Sequence, residues 1–157
     1  MMIALALLAS LALAQEEKKE KEKPPAAEEK PPVETEHQIR LNGNVLRYKV
    51  TTGKMPIRKD NGDVEGEIFY MAYTLEGGVE GDARPLTFSF NGGPGSSSVW
   101  LHLGMLGPRR VPMLADGGMP APPYRLVDNE YTWLDLTDIV FIDPVGTGFS
   151  RPATPEV

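Results

Sequence analysis

Apolar and polar positions divide this chain into three stretches. From Met1 to Ala14 the residues are apolar or small, none carries a charged side chain, and Ala12-Leu13-Ala14 supplies the small-x-small pattern that a signal peptidase accepts. The run is too short to span a bilayer, which takes about 20 apolar residues, so it predicts a cleaved export signal and no membrane span. From Gln15 to Glu36 large apolar residues almost vanish, and dense opposite charges mix with Pro24-Pro25 and Pro31-Pro32. Such a segment buries too little surface to offset its ordering entropy and is expected to be a disordered, semi-stiff tether. Periodic apolar patterning begins near His37, and residues 37–157 are expected to be the folded part.

Within that part, Asn42-Gly43 separates Gln38–Leu41 from Asn44–Thr52 and predicts a tight β-hairpin. A second turn, Asp60-Asn61-Gly62-Asp63, precedes Val64–Leu75. Its aromatic core, Ile68 to Tyr73, predicts a central strand. After the glycine-bearing loop at 77–82, Leu86, Phe88 and Phe90 alternate with Thr87 and Ser89, predicting another strand that ends at Asn91. Ser96 or Ser97 is placed to cap a helix running to Leu106, which Gly107-Pro108 stops. A Pro/Gly-rich loop over Val111–Pro123 leads on to Ile139-Val140-Phe141-Ile142, an unbroken apolar run that predicts a strand buried on both faces. Antiparallel strands leading into strands whose carboxyl ends carry glycine loops define an α/β fold with its site at those ends.

Composition narrows the classes of function. The chain has no cysteine, which removes disulfides, thiolate metal sites and a Cys nucleophile. With export, this favours a periplasmic or extracellular setting. The net charge of −6 offers no basic face for nucleic acid. Asp135, Asp138 and Asp143 flank one strand without ligand spacing, so no metal and no cofactor is expected.

The chemistry concentrates in FSFNGGPGSSSVWLHLGMLGP, Phe88 to Pro108. A strand delivers Gly92 and Gly93 to the sheet edge, where the lack of Cβ atoms lets their N–H groups approach a substrate closely. Pro94 stiffens the turn, and a helix N-terminus is expected just after it, which together would make a pocket for negative charge. An oxyanion hole of this kind is worth about 10²–10³ in rate per donor. A phosphate loop would need a Lys after the last Gly, and a dinucleotide fingerprint would need G-x-G-x-x-G. Neither is present, and a purely structural tight turn is the remaining alternative.

These residues resemble the serine carboxypeptidase family. Its Asn-Gly-Gly-Pro-Gly-x-Ser-Ser hallmark is matched by Asn91, Gly92, Gly93, Pro94, Gly95, Ser97 and Ser98. Leu106-Gly107-Pro108 and Gly66 to Tyr70 are similar to the family's sequence too, as are Asn129 to Trp133 and Asp138 to Ser150. The resemblance implies an α/β-hydrolase fold, of which this chain holds the N-terminal portion. It also implies a Ser-His-Asp carboxypeptidase acting on peptides with a free C-terminus. Gly93 would donate its N–H to the oxyanion, while Asn91 and the N–H of Gly92 would bind the substrate's terminal carboxylate. Pro144 to Ser150 would be a scaffold loop.

Departures from the pattern matter too. Ser96 stands where the family usually has Cys, consistent with a bacterial-type member. Met105 stands where many members carry a Glu beside the carboxylate site. The nucleophile segment, acid and base of the family are expected beyond Val157, and no G-x-S-x-G elbow occurs in the chain. Of the two histidines, His37 is expected to be a solvated loop residue and His102 a hydrogen-bonded packing residue. An aminopeptidase of the same fold would carry His at the position of Asn91. An acyltransferase on the same scaffold, or a secreted binding module without a triad, would keep the same loop.

Overall fold

The computed structural model describes residues 30–77, 84–92 and 95–154. The expected signal segment lies outside them, as do Gln15 to Glu29 of the expected tether. The first described strand begins earlier than the apolar pattern indicates. Strand β1 (Val33–Leu41) starts at Val33, inside the Glu/Lys/Pro segment. The reason is a partner strand, β2 (Asn44–Arg58), long enough to pair Val33 with Thr52, and Lys49 Nζ adds an ion pair to Glu34 at 3.4 Å. Composition alone does not register a partner strand.

The turn between them is the expected one. Asn42 and Gly43 take φ of 50° and 82°, and Leu41 faces Asn44, so the strand twist passes through a two-residue turn with both central residues left-handed. Strand β3 (Val64–Leu75) follows antiparallel to β2, across a turn in which Asp63 N donates to Asn61 Oδ1 at 3.1 Å. The remaining strands are β4 (Leu86–Ser89), β5 (Arg109–Arg110), β6 (Val127–Asp128), β7 (Asp138–Ile142) and β8 (Arg151–Pro152). The main sheet runs β1-β2-β3-β7-β4, with β8 also on β3. β3 is therefore the central strand that its aromatic run predicts. Among the described strands, β4 and β7 alone pair in parallel, from Leu86 opposite Asp138 to Ser89 opposite Phe141.

One face of this sheet carries the core. Ile39, Tyr48, Val50, Tyr73, Ile139 and Phe141 are buried there with Leu106 and Leu134, each worth about 1.5–3 kcal/mol when fully buried. β7 does not have the two fully buried faces expected of it. Ile139 and Phe141 are buried, whereas Val140 and Ile142 are half-buried. On β4 and just after it the apolar side chains Leu86, Phe88 and Phe90 point away from the core and are exposed, and Thr87 and Ser89 face it. No described element covers that opposite face.

The expected helix is also shorter and differently wound. Helix α1 (Val99–Leu101) passes directly into a π-helical turn, His102–Leu106, closed by Gly107 N donating to His102 O at 3.0 Å. Ser98, not Ser96 or Ser97, occupies the N-cap position and makes no side-chain cap bond. Three α-helical residues give little macrodipole, so the charge pocket cannot rest on a helix N-terminus as the sequence suggests. Among the described residues no helix is long and apolar enough to cross a membrane.

Candidate active site

Because β4 and β7 are adjacent and parallel, the loops at their carboxyl ends open side by side, where α/β sheets place their sites. Asp143, the first residue after β7, joins the two loops. Its buried carboxylate accepts from Ser98 N and Ser98 Oγ, both at 2.9 Å, on the β4 side, and from Phe149 N at 3.1 Å in its own loop. Three donors hold one charge that would otherwise be costly to bury. Ser150, fully buried, continues the stitch: its hydroxyl donates to Asp143 O at 2.6 Å and accepts from Phe69 N at 2.8 Å. The loop from Pro144 to Ser150 is thus fixed to β3, and Asp143 is a clamp between the two loops.

The end of the π turn is held in the same manner. Asn129 donates through Nδ2 to Met105 O and Gly107 O, both at 2.7 Å, and Thr132 Oγ1 donates to Leu106 O at 2.9 Å. These bonds satisfy carbonyls that a helix end leaves free. In the sequence Asn129 reads as a motif position, and Asp143 as a motif position and a rejected metal ligand, without a clamping role for either. The available signal was an acid that directly ends an apolar strand, a costly position unless donors converge on it.

The residues assigned to substrate lie at the end of β4. Asn91 is half-buried with its Oδ1 enclosed, and Gly92 is exposed with open space where a Cβ would stand. Gly95 has φ +89°, a conformation that favours glycine, and so helps turn the chain back toward Ser98. Gly93, the assigned oxyanion donor, lies outside the described residues together with Pro94. Met105 has an exposed side chain. Behind the turn, a cavity of about 640 Å³ is bounded by Ser97, Ser98, His102, Tyr73, Asp143 and Phe149, among others.

His102 has the packing role expected of it. The ring packs tilted against Phe141, centroids 4.5 Å apart, and Nε2 lies 2.6 Å from Tyr73 Oη. Burial pushes the imidazole down to about 4, against the opposing pull of Asp143, and burial raises the Tyr73 phenol. Both groups are therefore neutral at pH 7. His37 differs from its expected loop position: it sits on β1, exposed, stacked on Tyr48 at 5.8 Å, and bonded through Nε2 to Thr35 Oγ1 at 2.9 Å. The two histidines stand on different elements and form no triad.

The depressed value at His102 predicts an acid-sensitive fold. Between pH 6.5 and about 4 the unfolded chain takes up a proton that the folded chain refuses, so this stabilising contribution is complete above 6.5 and lost as pH falls. The loss approaches about 3 kcal/mol by pH 4. Urea unfolding of the wild type and His102→Gln at several pH values checks it, since Gln can bond Tyr73 but does not titrate. Parallel stability curves for the two proteins would contradict the assignment.

An antiparallel sheet that turns parallel at β4 and β7, with glycine loops at their carboxyl ends, defines the opening of an α/β-hydrolase fold. The sequence profile described as "Serine carboxypeptidase" matches residues 42–157. The chain belongs to the serine carboxypeptidase family. It is 37% identical over 103 residues to pheromone-processing carboxypeptidase KEX1 of Saccharomyces cerevisiae, covering 62% of this chain and 13% of that protein. With serine carboxypeptidase-like 13 of Arabidopsis thaliana it shares 34% over 114 residues, 71% of this chain and 24% of the relative. The crystal structure of KEX1(delta)p, a prohormone-processing carboxypeptidase from S. cerevisiae, superposes with a TM-score of 0.51 at 34% identity. That match covers 65% of this chain and 20% of the other. The chain thus spans between 13% and 24% of the length of these relatives.

Proposed function

We propose that the protein is a serine-type carboxypeptidase that removes C-terminal residues from peptides by Ser-His-Asp acyl transfer. The observation that supports this reading is the position of Asn91-Gly92 at the carboxyl end of β4, beside the loop clamped by Asp143, in a chain of this family. Asn91 Nδ2 and Gly92 N–H bind the substrate's terminal carboxylate, two neutral donors that need no buried counter-charge. The N–H of Gly93 stabilises the oxyanion formed when a serine hydroxyl adds to the scissile carbonyl. The serine's proton passes to the histidine and on to the departing amine as the C–N bond breaks, and water then hydrolyses the acyl-enzyme. Serine, histidine and aspartate of the triad come from polypeptide beyond Val157.

Turnover of a blocked dipeptide tests this. A full-length protein extending beyond Val157 is expected to release the C-terminal amino acid and to be stopped by a serine-directed inhibitor, while residues 1–157 alone release none. Inhibitor-sensitive release by residues 1–157 would overturn the division of labour. Export is part of the same reading: cleavage after Ala14 leaves Gln15 as the mature N-terminus, in the periplasm or outside the cell. N-terminal sequencing of the exported protein is expected to begin at Gln15, and a sequence beginning at Met1 or Met2 would refute it.

A further inference from the structure

Among the buried side-chain polar atoms that are described, two make no hydrogen bond, Ser89 Oγ and Asn91 Oδ1. They are two positions apart at the end of one strand. Exposure alternates without a break from Leu86 to Asn91: Leu86, Phe88 and Phe90 are exposed, while Thr87, Ser89 and Asn91 turn inward. Asn91 therefore continues the face of Ser89, although the strand itself ends at Ser89. Ser89 is only 5% exposed, and the paired residue opposite it on β7 is the buried Phe141. A buried polar atom left without a partner costs about 1–3 kcal/mol, so a pair of them is a strong demand for a bridge. The Cα atoms at i and i+2 on an extended chain stand about 6.5–7 Å apart, and two side-chain oxygens that lean toward each other to about 4.5–5.5 Å are spanned by one water molecule bonded to both at about 2.8 Å each. A buried water characteristically serves atoms of this kind.

We propose that Ser89 is a positioning residue for the carboxylate-binding Asn91, holding its side-chain carbonyl oxygen inward through one bridging water molecule. The consequence is directional. With Oδ1 fixed inside, the amide presents its two N–H donors outward, where a substrate carboxylate needs them. Without the Ser89 hydroxyl the amide is free to turn over and offer its oxygen, an acceptor that repels a carboxylate. This inference rests on the carboxypeptidase reading, and it adds a residue that the resemblance does not assign.

The test is steady-state kinetics of the full-length protein on two blocked peptides that differ only in a free or amidated C-terminus. Ser89→Ala is expected to raise KM for the free-carboxylate peptide roughly 3- to 10-fold, the worth of one ordinary hydrogen bond, with kcat unchanged. Kinetics on the amidated peptide should not change, and Ser89→Thr, which restores a hydroxyl, should return KM toward the wild-type value. In an Asn91→Ala background, Ser89→Ala should have no further effect on KM. Equal losses on both peptides, no loss on either, or failure of Ser89→Thr to rescue would overturn the proposal. If Ser89→Ala does not fold, the Ser89→Thr and Asn91→Ala proteins still decide: a tenfold loss of free-carboxylate binding in Ser89→Thr would contradict it. Failure of the carboxypeptidase reading itself shows separately, as an Asn91→Ala protein that treats the free and amidated peptides alike.

Discussion

Gly148→Ala is expected to disrupt the fold around the site at a cost of about 4 kcal/mol or more, a size reserved for a short list of mechanisms. Two of them coincide at this position. Gly148 has φ +48°, in the left-handed region that costs an alanine about 1–2 kcal/mol. A Cβ there would also overlap Asp143 Oδ2 and press on Ser97 Cβ. The carboxylate cannot yield without giving up Ser98 N, Ser98 Oγ or Phe149 N, each buried donor worth about 1–3 kcal/mol when left unpaired. Gly146 supplies the internal control. Its φ of +83° carries similar strain, but a Cβ there meets nothing within 4 Å, so Gly146→Ala should cost only the backbone term of about 1–2 kcal/mol. Denaturant unfolding of both variants measures the difference. A Gly148→Ala protein no less stable than Gly146→Ala would mean that Asp143 does not clamp the two loops.

That pair of glycines shows where sequence reasoning succeeds and where it stops. Local signals were legible wherever the deciding physics is local. Asn42-Gly43 demands left-handed backbone at two adjacent positions, and the Ile68 to Tyr73 run fits only a strand with neighbours on both sides. The end of β4 was legible for the same reason, since Gly95 takes φ +89° where the chain turns back toward Ser98. What could not be read depends on partners far along the chain. Val33 to Glu36 look like spacer until β2 is there to pair with them. Ser96 and Ser97 look like helix caps, yet Ser98 takes the N-cap position, and its hydroxyl is held by Asp143, 45 positions away. The helix was expected to stay α-helical to Leu106. Instead it widens into a π turn whose carbonyls are gathered by Asn129 and Thr132, again from a distant segment. The alternation of β4 was correctly seen, but not which face would be covered. Phe88 and Phe90 are more apolar than Ser89, and still it is Ser89 that turns toward the core.

The central claim is that Asn91 reads the free C-terminus of a peptide, and the direct measurement is the dependence of KM on that carboxylate in wild-type and Asn91→Ala full-length protein. A hydrogen bond to a charged group is worth about 1.5–3 kcal/mol. Removing the amide should therefore raise KM for a blocked dipeptide with a free C-terminus by about 10- to 100-fold. Its kcat should change little, because the bond is made equally in the ground and transition states. The amidated peptide lacks the charge that Asn91 binds, so its kinetics should be nearly the same in both proteins. That split between the two peptides is the result the account predicts. Equal losses of kcat/KM on the free and the amidated peptide would contradict it, and would make Asn91 a support for the shape of the turn.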